Sequence, residues 1–181
     1  MTTFAELTAW AGTGNVTRAD PAVVSAGWQI PEDQKALLVS VGIPIVDQLI
    51  EYISLQVEAA PVLQTSDVRS LYRLTRNRHG DLVPGLEWSF GVELGTGRVH
   101  YVLPQREAWF ANSSIGLWLR TLHHYGLHVS ESEILSDPDD REDEALAELS
   151  TLADELKKID PPAFDGYHGF IWAEFLDRWL W

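Results

Sequence analysis

The run from Leu86 to Leu122, LEWSFGVELGTGRVHYVLPQREAWFANSSIGLWLRTL, constrains this chain more than any other segment. Trp88, Phe90, Val92 and Leu94 alternate with Glu87, Ser89, Gly91 and Glu93. That is the period of a strand with one face buried. Gly95-Thr96-Gly97 tolerates positive φ and lets the chain reverse. Val99, Tyr101 and Leu103 resume the alternation, and a third strand is expected over Glu107–Ala111. Asn112, Ser113 and Ser114 then offer side-chain oxygens to the free N–H groups of a helix start. Ile115, Trp118, Leu119 and Leu122 form that helix's apolar stripe.

The flanks are mainly helical. Thr3 and Glu6 have capping-box spacing, which predicts a helix through Trp10. Asp20-Pro21 marks a second start, and Pro31 a third whose helix ends by Gly42 and Pro44. Ile45 to Val57 suits a helix through Ile45, Leu49, Ile50, Ile53 and Val57, and equally a strand through Tyr52 to Val57. Leu71–Thr75 predicts a strand, with a turn over Asn77–Gly80. Ala145, Leu149, Leu152, Leu156 and Ile159 predict a helix over Glu142–Ile159, stopped by Pro161-Pro162. A last helix is expected over His168–Leu180, through Ile171, Trp172, Phe175, Leu176 and Trp179. The class is α+β: a central, largely antiparallel sheet with helices at both ends, in a single domain over 1–181.

Composition narrows the functions. Of 181 residues 45 % are hydrophobic, with eight Trp, so a packed core is expected rather than disorder. With no cysteine the chain has neither disulfides nor thiolate metal ligands, which suits a reducing cytosol. No apolar run reaches the ~18–20 residues of a membrane span, and the first ten residues lack a signal-peptide core. The expected location is cytoplasmic, without membrane contact. The net charge of −14 repels phosphate backbones and disfavours direct nucleic acid binding. The charge is also uneven. Glu131–Asp160 carries twelve acids against Arg141, Lys157 and Lys158, whereas Arg69–Arg106 carries six arginines against Asp81, Glu87 and Glu93.

Reactive constellations are weak. His124 and His128 have the i, i+4 spacing of a helical metal pair, but Gly126 is expected to end the helix between them. His123 and His124 would point about 100° apart. With Asp137 at position one of a calcium loop, Glu148 falls at position twelve. Arg141 then occupies a ligand position, and Glu142 stands where the turn demands glycine. Gly-x-Ser-x-Gly elbows and P-loops are missing, and Gly95-x-Gly97 is a hairpin turn, not a dinucleotide loop. Ser113 and Ser114 have no apparent base and are expected to be helix caps. The expectation is no enzyme, no metal and no cofactor. The aromatic residues fall mostly at core positions, with Trp181 a candidate exposed anchor.

Four motifs occur together in order. They are Leu37-Leu38-Val39-Ser40-Val41-Gly42-Ile43-Pro44, the hairpin Leu94-Gly95-Thr96-Gly97-Arg98-Val99, the junction Trp109-Phe110-Ala111-Asn112-Ser113-Ser114-Ile115, and Asp160-Pro161-Pro162-Ala163-Phe164 followed by Trp172, Phe175 and Leu176. This series resembles the SUKH superfamily, most closely its fourth subfamily of bacterial immunity proteins, over roughly residues 31–181. The resemblance implies an intracellular immunity protein that binds and neutralises a cognate polymorphic toxin, often a nuclease or nucleic-acid deaminase, by stoichiometric occlusion. The alternative is a SUKH-type regulatory or ligand-binding scaffold without a toxin partner. An acidic protein is steered to the basic cleft of such a toxin. Asp137, Asp139, Asp140, Glu142, Asp143 and Glu144 are the candidate partner-binding residues. The competing reading is a solvated loop whose acids favour the following helix start.

Overall fold

The computed structural model describes residues 2–46, 49–78, 86–137, 141–166 and 169–177. The chain opens with three helices, each started by local chemistry. In α1, Phe4–Ala11, Thr3 N–H donates to Glu6 Oε2 at 2.7 Å and Glu6 N–H donates to Thr3 Oγ1 at 3.3 Å. In α2, Pro21–Gly27, Ala22 N–H donates to Asp20 Oδ1 at 2.8 Å. Helix α3, Glu32–Ser40, follows Pro31. A short antiparallel pair, β1 (Val16–Thr17) and β2 (Ile43–Pro44), ties the two sides of this region. Gly42 lies at φ +82°, and a Cβ there would meet the Thr17 carbonyl at 2.6 Å, so no other residue fits this turn.

Among the described residues, seven strands form the main sheet: β3 (Tyr52–Ile53), β4 (Leu63–Gln64), β5 (Ser70–Arg73), β6 (Thr75–Arg78), β7 (Glu87–Glu93), β8 (Val99–Val102) and β9 (Ala108–Asn112). Their pairings are antiparallel. β7 is central. It pairs with β8 on one edge and with both β5 and β6 on the other. The strand expected over Leu71–Thr75 is thus longer and interrupted at Leu74. There Phe90 N–H donates to the Thr75 hydroxyl at 2.9 Å, so a side chain replaces a backbone acceptor of the ladder. Asn77 and Arg78 extend β6 and are not turn residues. His79 and Gly80 lie outside the described residues. Ile45–Val57 forms no helix where it is described. Val46 and Ile50 make an antiparallel bridge and only Tyr52–Ile53 is strand, while Val46, Leu49 and Ile50 are buried.

The expected alternation in β7 is only half the arrangement. Phe90 and Val92 are fully buried, but Ser89 and Gly91 on the opposite face are buried too. A Cβ on Gly91 would lie 3.1 Å from the side chains of Leu63 and Leu71. His100, opposite Gly91 in β8, is also enclosed. Both faces of the sheet centre are therefore covered, one by helices and the other by the sheet's own side chains.

Helix α4, Ile115–Glu131, crosses the first face. Leu117 N–H donates to Ser114 Oγ at 3.2 Å, the expected cap. Ile115, Trp118, Leu119 and Leu122 are buried, and the Trp118 ring lies 5.1 Å from Phe90. Gly126 does not end this helix. A Cβ there would sit 1.7 Å from Trp10 Cζ2, so the glycine makes room for the indole of α1. The chain continues through α5 (Glu133–Ser136), α6 (Glu142–Ile159), a 3-10 turn at Pro161–Phe164 and α7 (Ile171–Asp177). The last helix begins at Ile171, the first residue of its apolar pattern, and Gly169 and Phe170 before it are not helical. His168, Trp179, Leu180 and Trp181 lie outside the described residues. Trp28, Trp118 and Trp172 are fully buried in one cluster that runs from Leu7 to Leu176, with Trp28 stacked 4.7 Å from Tyr72. The fold is α+β, as the pattern predicts.

Candidate functional site

The acidic stretch begins as α5 ends. Asp137 is exposed, and Glu142, Asp143 and Glu144 are exposed in the first turn of α6. Asp139 and Asp140 lie outside the described residues. Arg141, within the stretch, donates from Nη2 to the carbonyls of Glu133 at 2.8 Å and Asp137 at 3.3 Å. It fastens the end of α5 to the start of α6 and neutralises none of the described carboxylates. Asp137, Glu142, Asp143 and Glu144 form no ion pair among the described residues. Leu146, one turn on, is an exposed apolar neighbour at 40 %. The helix is polarised, with three acids at its start and Lys157 and Lys158 in its last turn, which suits its dipole. Because residues 142–148 are helical, they cannot wrap an ion as the second half of a calcium loop.

The uninterrupted α4 puts His124 and His128 on one face. Each meets a carboxylate of α6: His124 Nε2 lies 2.8 Å from Glu155 Oε2, and His128 Nε2 lies 2.9 Å from Glu148 Oε1. The His124 contact holds the Glu155 carboxyl below its ordinary range. His123 points elsewhere, with its ring 5.5 Å from Trp10, and burial lowers its pKa. The three histidines are not brought together. No group of three or more His, Asp or Glu among the described residues is placed to hold a metal.

Two of the four motifs that carry the sequence resemblance, the junction ending at Ile115 and the closing segment from Asp160, converge on one buried polar node. Asp160 is 2 % exposed. Its Oδ2 accepts from Ser113 N–H at 2.7 Å and Asn112 Nδ2 at 3.0 Å, and its Oδ1 accepts from the Ser113 hydroxyl at 2.8 Å. Asn112 also donates to Thr121 Oγ1 at 3.2 Å and accepts from Trp172 Nε1 at 3.0 Å. Thus Asn112, Ser113, Asp160 and Trp172 form a fastening between sheet and helices, while Ser114 caps α4. Ser113 has a carboxylate but no imidazole beside it, so the arrangement positions backbone and does not generate a nucleophile. Sequence reading located these residues but not their union, because 47 positions separate Ser113 from Asp160.

The arginine-rich segment maps to the face of the sheet opposite α4. Arg76 Nη2 lies 2.7 Å from Glu87 Oε2, with Arg73 3.6 Å from the same carboxylate. Arg69 pairs with Asp67 at 2.8 Å and donates to His100 at 3.0 Å. Burial first, and then the Arg69 guanidinium, push the His100 pKa down to about 4. The hairpin preceding β5 places Val68 at φ +68°, 85 % exposed, and Ser66 N–H donates to the carbonyl of Arg106, which also sits at φ +68°. Three of the six arginines, Arg69, Arg73 and Arg76, are therefore engaged by carboxylates of the fold itself. Arg98 and Arg106 are exposed and form no ion pair with the described residues.

No described helix is long and apolar enough to cross a membrane. No curated protein and no solved structure matches the chain. A model of the family described as SUKH-4 immunity protein matches residues 2–178. The match starts well before the residues 31–181 that carry the resemblance, and so takes in α1 and α2 as well. It spans nearly the whole sequence and both sides of the Asp160 node, and the chain belongs to the SUKH-4 immunity protein family.

Proposed function

We propose that this protein is a cytoplasmic, non-catalytic inhibitor that neutralises a cognate toxin by occupying its active site or substrate cleft. The observation that carries this reading, beside the family, is the exposed run of Asp137, Glu142, Asp143 and Glu144, whose charges are matched by no ion pair within the described fold. An acidic surface of this kind fits a toxin with a basic cleft, such as a nuclease or nucleic-acid deaminase. Asp139 and Asp140 belong to the same proposed contact by sequence position. Membership of an immunity protein family supports this role.

The test is a titration. The toxin proposed as partner is assayed with increasing amounts of this protein. The expected result is a sharp equivalence point at a fixed stoichiometry. Loss of toxin activity at trace amounts, with turnover, overturns the occlusion mechanism. Full toxin activity at excess inhibitor removes the toxin partner.

A further inference from the structure

We propose that the cleft enclosed by the start of α1, the polar stripe of α4 and the last turns of α6 binds a small phosphate monoester. The cleft has a volume of about 630 Å³, within the range of small-molecule sites. Arg120, His123, His124 and Leu127 line it from α4 at the spacing of one helical stripe. They stand on the side of α4 away from the buried Ile115, Trp118, Leu119 and Leu122. The last turns of α6 face them with Glu155, Lys158 and Ile159, and α1 closes the end with Thr2 and Glu6.

The state of each group decides what the cleft can take. Its two carboxylates are already engaged. Glu6 Oε2 accepts from the backbone and hydroxyl of Thr3 at 2.7 and 2.8 Å, and Glu155 Oε2 meets His124 at 2.8 Å. Its two strong cations are not. Arg120 and Lys158 are exposed and form no ion pair or hydrogen bond among the described residues, although the Lys158 charge acts at longer range on Glu155. His123, which packs on Trp10 and feels the Glu6 charge, and the Thr2 hydroxyl add two further groups that no described residue hydrogen-bonds. Unclaimed capacity is therefore donor capacity, spread over three helices. Donors converging from several directions suit the three oxygens of a phosphate better than the flat pair of a carboxylate. Leu127 and Ile159 supply an apolar wall for the organic group of an ester. The net charge of −14 repels an anion at long range, so binding must arise from contact with Arg120 and Lys158. This site is separate from the acidic start of α6 and does not rest on the toxin reading.

The experiment uses the full chain at fixed ionic strength, with phenyl phosphate, inorganic phosphate and benzoate as probes. Calorimetry gives affinity, and the histidine ring protons report the site by NMR. Phenyl phosphate is expected to bind saturably at one per chain, tighter than inorganic phosphate and benzoate, and to raise the pKa of His123. Arg120→Gln with Lys158→Gln is expected to weaken it at least about tenfold. Lys158→Gln alone is the second variant if the pair perturbs folding, and Glu107→Gln, exposed just before β9 and outside both proposed sites, is the unaffected control. Absence of saturable histidine shifts, or equal affinity in the Arg120 and Lys158 variants, overturns the site. Equal affinity for benzoate overturns the assignment to a phosphate.

Discussion

Replacing Asp160 tests whether the buried node holds the sheet to the helices. Its carboxylate accepts three hydrogen bonds, from Ser113 N–H, the Ser113 hydroxyl and the Asn112 amide. Asp160→Ala removes the acceptor and leaves these donors in a site closed to water. A stranded buried donor costs about 1–3 kcal/mol. The Ser113 hydroxyl can rotate to another acceptor, and neighbouring losses do not add fully. The expected loss is about 3–5 kcal/mol, a large part of the 5–15 kcal/mol typical of a domain. Asp160→Asn keeps the shape but turns an NH2 group toward a donor, so about 2–3 kcal/mol should be lost. Urea unfolding followed by tryptophan fluorescence measures both, with the denaturant slope as a check that the unfolded state is unchanged. A loss below about 1 kcal/mol for Asp160→Asn would refute the assignment of a structural acceptor.

Three further outcomes follow from the same structure. His100 has a pKa of about 4 when folded against 6.5 for an ordinary histidine, so the unfolded chain binds the extra proton between these values. Its contribution, about 3 kcal/mol, is present above pH 6.5 and is lost as pH falls toward 4; His100→Gln should flatten that slope in denaturation measured across pH. Gly126→Ala forces Trp10 off α4 and should destabilise by about 1–3 kcal/mol, read from thermal unfolding, whereas an unchanged melting temperature would mean the indole moves freely. Changing Asp137, Asp139, Asp140, Glu142, Asp143 and Glu144 to Asn or Gln should leave folding nearly unaltered and slow toxin association, most at low salt, since charges are screened over about 8 Å at physiological ionic strength. Equal stopped-flow rates at low salt would leave these acids as a solvated loop and helix start.

Local chemistry made much of the fold legible. Thr3 with Glu6, Asp20 with Pro21, and Ser114 each announce a helix start, because the cap lies within three residues of its partner. The hairpin of β7 and β8 was legible from alternation around Gly95 and Gly97. What stayed hidden depends on distant chain. Gly126 carries a helix-ending signal, and only the Trp10 ring packed on it explains its place inside α4. Ser89 and Gly91 pattern as the open face of a strand, yet both are buried, Gly91 beneath Leu63 and Leu71. Ile45–Val57 has apolar residues at both helical and strand spacing, so periodicity alone does not decide it. In the candidate site, the acidic residues were legible as a charge run. The donor-rich cleft was not, because Arg120, Lys158 and Thr2 meet only after three helices assemble.

The Asp160 node also sets an order of events during synthesis. The sheet strand ending at Asn112 leaves the ribosome before either of its anchors, since Trp172 lies 60 positions later. At about 5–20 residues per second, the helix-covered face of the sheet lacks its final seal for about 3–12 s. During that interval Ala111 and Asn112 have no indole donor, and the apolar surface beneath α7 is open to water. A nascent chain is thus without its finished core until almost the whole described sequence has been made. The immunity role must therefore rest on molecules completed earlier, and not on chains still being translated.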